Sequence, residues 1–372
     1  MYVKTEKIEL KDVDKETSCF LIDTLKNEYR FNFTKPRVKV FLEKTAASKV
    51  YLLESDNNEK LVIKRSFWYE NANNTSGAFE KAHEISEAWR VRSVKVPKVY
   101  KNKQNKFFTK KDKDNIVVLE FVAGEHFRAC DAEFKSAGKE LGILHRIGLE
   151  LLESDSSLYK GIEKEIPFEK PYEESRSMYG EGLRDKLLSD HKCEAPEVCQ
   201  MFRNNIDDID NVIKFLDESD INNDSLKRGI LHNDLHTNNV LFDTEGSLTT
   251  ILDIDQVGVG PLIWDVGNTL TSFVSCYLKE GDKKDIKEKV KLFLQNYHKM
   301  NQLPLKEYKL VLAATQRWDM LRIFRSLRRH HYENNRLPGL LPKIKERLIP
   351  RIKAIPEIFA FINSDWLRKN IK

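Results

Sequence analysis

Apolar residues recur along the first third of the chain with two different periods. Between residues 12 and 30, Cys19, Leu21, Ile22, Leu25 and Tyr29 fall at helical intervals and Pro36 follows as a breaker, so the spacing predicts a leading helix. From Arg37 the pattern becomes alternating and β-branched. RVKVFLEK, KVYLLES and KLVIKRSFW read as a three-strand meander, with Asp56, Asn57 and Asn58 turning the chain before the third strand. Residues 77–92 return to helical spacing, and VPKVY and NIVVLEFV add two more strands. Three strands, a helix and two further strands make a small α+β lobe.

After Gly124 the texture is helical for most of the remaining length. In DAEFKSAGKELGILHRIG, Phe134, Leu141 and Leu144 share one face, and in YKLVLAATQRWDMLRIFRSLRRHHY the inward positions are Leu312, Trp318, Leu321, Phe324 and Leu327. Residues 153–228 are polar, interrupted by Pro167, Pro171 and Pro196, and read as helices without firm ends. No internal repeat or low-complexity tract appears. The expectation is a chain of two lobes, residues 1–122 and 123–372, joined near Phe121 to Gly124.

Composition narrows the class of protein without naming its partner. A chain of 372 residues with 40% hydrophobic content supplies a core for both lobes. The net charge of +5 is a small difference between 63 basic and 58 acidic residues, so neither a nucleic-acid partner nor a membrane anchor is expected. The first thirty residues lack a signal-peptide pattern and no apolar run reaches the length of a membrane span, which points to a cytoplasmic protein. Five scattered cysteines argue against a disulfide framework. His191, Cys193 and Cys199 lie close together, but without CxxC pairing or a fourth ligand they make a poor zinc site.

The chemistry concentrates in LHNDLHTNNVLFD, where His232, Asp234 and Asn239 form the pattern HxDxxxxN just before an apolar strand, residues 239–242. A carboxylate can take the proton of an attacking hydroxyl, and a neutral amide five residues on can ligand a magnesium ion without adding negative charge beside phosphates. Asp234 is the candidate base and Asn239 a candidate metal ligand. Fourteen residues beyond Asn239 comes Asp253, on a second apolar strand after the turn at Glu245 and Gly246. A hairpin would set Asp253 beside Asn239, giving the two hard oxygen donors that suit magnesium. Asp255, on the same strand face, is a candidate second metal ligand or supporting carboxylate.

HNDLHTNNVLF followed by ILDIDQVGVGPLIWDVGN resembles the catalytic loop and metal strand of the aminoglycoside phosphotransferase and choline kinase superfamily. The resemblance implies a bilobal protein-kinase-like fold, with a small β-rich N-terminal lobe and a larger, mainly helical C-terminal lobe. It also implies Asp234 as base, Asn239 and Asp253 as metal ligands, and Asp265 as a structural carboxylate under the catalytic loop. His232 is expected to be structural too, whereas His236 reads equally as support or as a substrate contact. Relatives usually have glycine where this chain has Asn233.

The small lobe offers matching parts. A nucleotide kinase needs a cation on a strand to hold the phosphates and a carboxylate to position that cation. Lys64 in LVIKRS fits the first need, and Glu84, thirteen residues before Pro97, fits the second by its likeness to the family's spacing, with Glu80 as the alternative. VVLEFVAGEHF resembles the linker that binds adenine through its backbone, at Glu120 and Val122. KELGILHRIG resembles a recurring helix that places Gly142 and His145 beneath the catalytic loop. The loop KTAASKVY contains no glycine, so Ser48 with Ala46 and Ala47 would have to let backbone amides reach a phosphate, and turnover would suffer if Thr45 to Ser48 is too stiff.

Two charged sets read first as solvated faces. Arg322, Arg325 and Arg329, preceded by Arg317, would otherwise welcome an acidic group, and Asp207, Asp208, Asp210, Asp217, Glu218 and Asp220 an amine. The function expected is transfer of the γ-phosphoryl group of ATP, with GTP as the other admissible nucleotide, to a hydroxyl of a sugar, amino alcohol or aminoglycoside. Mg2+ is the implied cofactor. A catalytically silent kinase fold with a structural or binding role is one alternative. A protein kinase is the other, although eleven residues between Asp253 and Asp265 and the lack of an APE segment leave no peptide platform.

Overall fold

The structure is a computed structural model and describes residues 9–41, 48–66, 76–112, 114–155, 176–177, 180, 182, 184–188, 196–275, 283–331, 344 and 348–371. In the first lobe the chain runs β1 (Leu10–Asp12), α1 (Lys15–Tyr29), β2 (Arg37–Phe41), β3 (Ser48–Glu54), β4 (Lys60–Ser66), α2 (Ser76–Arg90), β5 (Val99–Tyr100), β6 (Thr109–Lys111) and β7 (Asp114–Glu120). These strands form an antiparallel sheet in the order β1-β2-β3-β4-β7-β5, with β6 also on β7. The leading helix starts where the Asp14 carboxylate accepts from the Thr17 amide at 2.7 Å. Its Leu21, Leu25 and Tyr29 cover Tyr51, Leu53, Leu61 and Ile63 on one sheet face, and the Tyr29 hydroxyl donates to the Ile116 carbonyl at 2.9 Å.

Strand alternation then decides where Lys64 goes. Leu61 and Ile63 face α1, so Lys64 and Ser66 face the other side, where α2 lies and where Phe79 packs with Val99, Phe107 and Val117. β1 and β6 were not expected. Each has three residues, LKD and TKK, too few and too polar to display a period of two.

The second lobe follows a coil at residues 121–124. It comprises α3 (Asp131–Ser154), α4 (Ile206–Glu218), β8 (Arg228–Leu231), β9 (Val240–Phe242), β10 (Leu248–Ile251), β11 (Gly258–Pro261), α5 (Leu262–Ser275), α6 (Lys283–Met300), α7 (Val311–His331) and α8 (Ile349–Phe359), with shorter helices between. The protein is thus α+β, with an antiparallel sheet before the linker and a mainly helical body after it. α5 is buried from Leu262 to Val274 and forms the centre of this body, with α7 along one side, while α3 lies along α6. Gly142 makes the latter approach possible, since a Cβ there would meet the Tyr297 carbonyl oxygen at 2.7 Å. Phe127, Phe134, Phe273 and Phe293 meet in the core between these helices, with Phe127 and Phe273 centroids 4.5 Å apart.

The linker is tied to the second lobe by a bridge in which the Glu125 amide donates to the Phe242 carbonyl at 2.7 Å and the Phe242 amide donates back at 2.8 Å. No helix among the described residues is long and apolar enough to cross a membrane. Cys19 and Cys130 are free, while Cys199 is disulfide-bonded, which is a single bridge and not a framework. An odd, scattered set of cysteines does not exclude one bridge. His191 and Cys193 of the discarded zinc trio also lie outside the described residues, as do residues 42–47 of the glycine-free loop.

Candidate active site

Two antiparallel pairs build the floor of the site. β8 pairs with β11 through Leu231 and Gly258, and β9 pairs with β10 through Val240 and Ile251. Between β8 and β9 the loop that carries Asn233 and Asp234 must turn sharply. Asn233 does so at φ 64, a left-handed conformation that asparagine tolerates better than other residues with a Cβ. Its side chain donates to the Gln256 carbonyl at 2.9 Å, so the asparagine makes the turn and satisfies its own polar group.

Asp265, fully buried on α5, holds this loop from below. It accepts from the amides of His232 at 2.8 Å and Asn233 at 3.0 Å, and it contacts His145 Nε2 at 3.1 Å. Burial pushes its carboxyl up, but the hydrogen bonds from His145 and the His232 amide outweigh that and hold it below the ordinary value. A chain of donors fixes the His145 tautomer. Asn301 donates to the Tyr297 hydroxyl, Tyr297 donates to His145 Nδ1 at 2.8 Å, and Nε2–H then donates to Asp265. On the other side of the loop, His232 Nε2 meets the Leu252 carbonyl at 2.9 Å and its Nδ1 accepts from the Asp234 amide at 3.3 Å. Asn268 closes the arrangement by donating to the Asn233 carbonyl at 2.7 Å.

Asp234 stands at the mouth of this loop with its side chain 28% exposed. Burial first and the negative charge of Asp253 second push its carboxyl up to about 6, against the opposing charges of Arg322, His232 and Lys64. His236 Nε2 lies 3.7 Å away. Asn239 donates its amide nitrogen to the Asp234 carbonyl at 2.9 Å, which leaves its amide oxygen free of described donors. The Leu252 amide donates to the Asn239 carbonyl at 2.8 Å, so Asp253 follows directly beside Asn239, as the hairpin required.

Asp253 and Asp255 do not continue the strand. β10 ends at Ile251, Asp253 turns left-handed at φ 58, and Ile254–Gln256 form a 3-10 turn. The expectation that Asp255 shares a strand face with Asp253 is therefore corrected. The turn instead sets the two carboxylates on either side of Lys64, whose ammonium donates to Asp253 Oδ1 at 2.5 Å and Asp255 Oδ2 at 2.6 Å. Burial pulls the ammonium down and the two carboxylates pull it up further, so it stays charged, while Lys64 holds Asp253 below the usual carboxylate range. The Asp253 side chain is 39% exposed and that of Asp255 is 9% exposed. Asp253 is the one open to a ligand.

Whether this donor set suits a divalent cation can be judged from its oxygens. Asp253 Oδ2 and Asn239 Oδ1 are hard donors with no described hydrogen-bond donor of their own, and among the described residues no group of three His, Cys, Asp or Glu side chains forms a complete cage. A pair of oxygens rather than a cage fits magnesium, which keeps waters and shares its remaining positions with phosphates.

The expected partner of Lys64 on α2 is a second correction. Glu84 pairs with Lys81 at 2.6 Å and Glu80 accepts from the Phe107 amide at 3.2 Å, so neither carboxylate meets Lys64. Helix phase explains this, because Phe79 and Ala82 are the buried positions that set which side of α2 faces the sheet. The buried residue beside Glu84 is His83, 2% exposed and pushed down to about 4 by burial, hence neutral. The sequence signal for it was the same helical period that placed Phe79 inside.

At the linker, the Glu120 amide donates to the Lys98 carbonyl at 2.9 Å, while Val122 N–H has no acceptor among the described residues. Ser48 opens β3 opposite Ser66, two residues beyond Lys64 on the neighbouring strand. The acidic series on and near α4 is largely paired. Asp208 meets Lys353 at 2.9 Å and Asp210 meets Arg184 at 2.6 Å, and Asp217 meets Arg176. Arg322, by contrast, lies over the Trp318 ring at 5.9 Å and acts on Asp234 through its charge, with no carboxylate ion pair among the described residues.

The same fold occurs elsewhere. No curated relative matches by sequence. Solved structures do match over nearly the whole chain. An amicoumacin kinase in complex with AMP-PNP, Ca2+ and Ami shares 15% identity at a TM-score of 0.62, covering 91% of this chain and 93% of that one. A spectinomycin phosphotransferase in complex with ADP and spectinomycin shares 17% at 0.59, over 91% and 98%. The ethanolamine kinase of Plasmodium vivax shares 14% at 0.56, over 96% and 99%. At these identities the likeness is one of fold, and the fold is kinase-like. The model of the Phosphotransferase enzyme family matches residues 40–280, a span that runs from β2 through the catalytic loop, the Asp253 turn and α5, and to this family the chain belongs.

Proposed function

We propose that the protein transfers the γ-phosphoryl group of ATP to a hydroxyl of a small molecule of the sugar, amino alcohol or aminoglycoside type. The observation that carries this reading is the contact of Lys64 with Asp253 across 189 residues of sequence, which sets the small lobe's cation beside the aspartate of the catalytic hairpin. Asp253 Oδ2 and Asn239 Oδ1 would hold a magnesium ion bound with the nucleotide. When bound, that ion supplies charge neutralisation at the phosphates.

The chain's own residues do the rest. Lys64 exchanges Asp253 for phosphate oxygens, keeping a charge-assisted contact throughout. The Val122 N–H, and the backbone carbonyl of Glu120, offer an adenine edge its partners. Ser48 at the start of β3 borders the phosphates. Asp234 accepts the acceptor's hydroxyl proton, and its value near 6 leaves it ionised at pH 7 yet basic enough to receive that proton. The Asp265 platform keeps Asp234 in place, so that catalysis is chiefly positioning and charge neutralisation.

The short span from Asp253 to Asp265 speaks against a protein kinase, since the 3-10 turn, β11 and the start of α5 fill it. Joint retention of Lys64, Asp234, Asn239 and Asp253 speaks against a silent fold. Calorimetric titration with ATP, with and without magnesium, tests the reading. Magnesium-strengthened binding in the micromolar to millimolar range is expected, and an acceptor screen should then yield a phosphorylated product. A protein that binds no nucleotide under either condition is not the proposed enzyme.

A further inference from the structure

Lys64 has a buried partner on the turn but no carboxylate from the helix beside it. α2 packs against the 3-10 turn Ile254–Gln256, yet its acids are engaged elsewhere: Glu80 on the Phe107 amide, Glu84 on Lys81, and Glu87 on Arg90. His83 is different. It is 2% exposed, set edge-on against Phe79 with centroids 4.6 Å apart, and tilted against Phe107 at 6.3 Å. The charges that act on its ring are those of Asp255, Lys64 and Asp253, with Asp255 foremost.

Neither ring nitrogen of His83 has a hydrogen-bond partner among the described residues. Leaving a buried polar group unpaired is costly, so such a group calls for a physical reason. Asp255 supplies one. Its Oδ2 accepts from Lys64, while its other oxygen accepts from no described group, and it is nearly as buried as the lysine itself.

We propose that His83 is a positioning residue for nucleotide binding: its ring N–H closes on the second carboxylate oxygen of Asp255, and the chain His83, Asp255, Lys64 orients the lysine in place of a helix glutamate. This rests on the kinase reading above. Once Asp253 is engaged by a nucleotide-bound cation, Asp255 is the carboxylate that Lys64 retains, because it is the less exposed of the two. A neutral imidazole donor suits that task. It satisfies the spare oxygen without adding a second cation that would compete with Lys64 for the same charge. Asp255 is thereby assigned to the lysine rather than to the metal.

Four variants test the chain, H83E alone serving as the reference for the double variant, each measured by calorimetry for MgATP affinity and by steady-state kinetics for the two substrates. H83F keeps the ring shape and removes the donor, H83Q keeps a donor, and H83E with D255N moves the carboxylate onto α2. H83F should weaken MgATP binding and raise KM for ATP about tenfold, the scale of one hydrogen bond to a charged group, while KM for the acceptor stays put. Its melting temperature should not fall, since an unpaired polar group has left the interior. H83Q should recover MgATP binding to within about threefold, and the double variant should bind better than H83E alone. Wild-type affinity in H83F, or an H83Q as weak as H83F, overturns the proposal while wild-type binding leaves the kinase reading standing. Absence of nucleotide binding in the wild type overturns both.

Discussion

Asp234 sits between opposing charges, and that balance makes its protonation testable. Its folded value, about 6, lies above the ordinary 3.8. A carboxyl raised in this way favours the folded state below pH 3.8, and the contribution disappears as pH rises through 6. At pH 7.5, in metal-free buffer, the ionised side chain therefore costs stability. D234N should melt higher than wild type there, by the equivalent of about 1–2 kcal/mol after discounting for partial exposure, with the gap narrowing toward pH 4. Equal melting shifts at both ends of that range would contradict the assigned environment. Arg322 is the cation that counters this rise, so R322M should move the acidic limb of the kcat profile to higher pH, and an unmoved limb would show that Arg322 does not act on the base. At Asn233, replacement by glycine should preserve stability and activity. Replacement by alanine keeps the φ 64 strain and loses the bond to Gln256, which should cost about 1–2 kcal/mol in chemical denaturation.

Legibility differed with the kind of element. The strands β2, β3, β4 and β7 and the helices α1, α2, α3 and α7 carry strong periods, and most of their apolar residues landed inside, as with Leu321, Phe324 and Leu327, although Leu312 is half-buried and Cys19 is exposed. The hairpin that brings Asp253 beside Asn239 was readable because it is local in sequence. The phase of α2 was not readable to one residue. Glu84 and His83 are neighbours, and which of them faces Lys64 depends on how Phe79 and Ala82 dock on a sheet that the sequence does not position. The end of β10 was hidden for a similar reason, since the turn at Asp253 is made by an aspartate at φ 58 with no glycine to mark it. Packing between α5 and α7 gives a further test. A Cβ on Gly267 would lie 2.4 Å from the Ala314 Cβ and 2.7 Å from backbone atoms of α7, so G267A should lower stability by about 1–3 kcal/mol and displace the Asp265 platform with it. A variant with unchanged melting and activity would show that the two helices part freely.

Across the whole molecule, the two lobes meet where Lys64 reaches the Asp253 turn and where the linker bridges to β9 at Phe242. A nucleotide bound at this junction would touch both lobes and should stabilise them together. At a concentration of one hundred times Kd, MgATP is expected to add about 2.7 kcal/mol to unfolding, in a single transition. Farther out, the helices carry acids mostly paired with Arg176, Arg184 and Lys353, and an Arg322 that has no ion pair among the described residues. The measurement closest to the central claim is ATP turnover by wild type and D234A, read alongside their affinities for MgATP. The account requires that D234A keep wild-type nucleotide affinity to within about threefold while its turnover falls by about 10² to 10⁴. Turnover in D234A equal to that of wild type would contradict it.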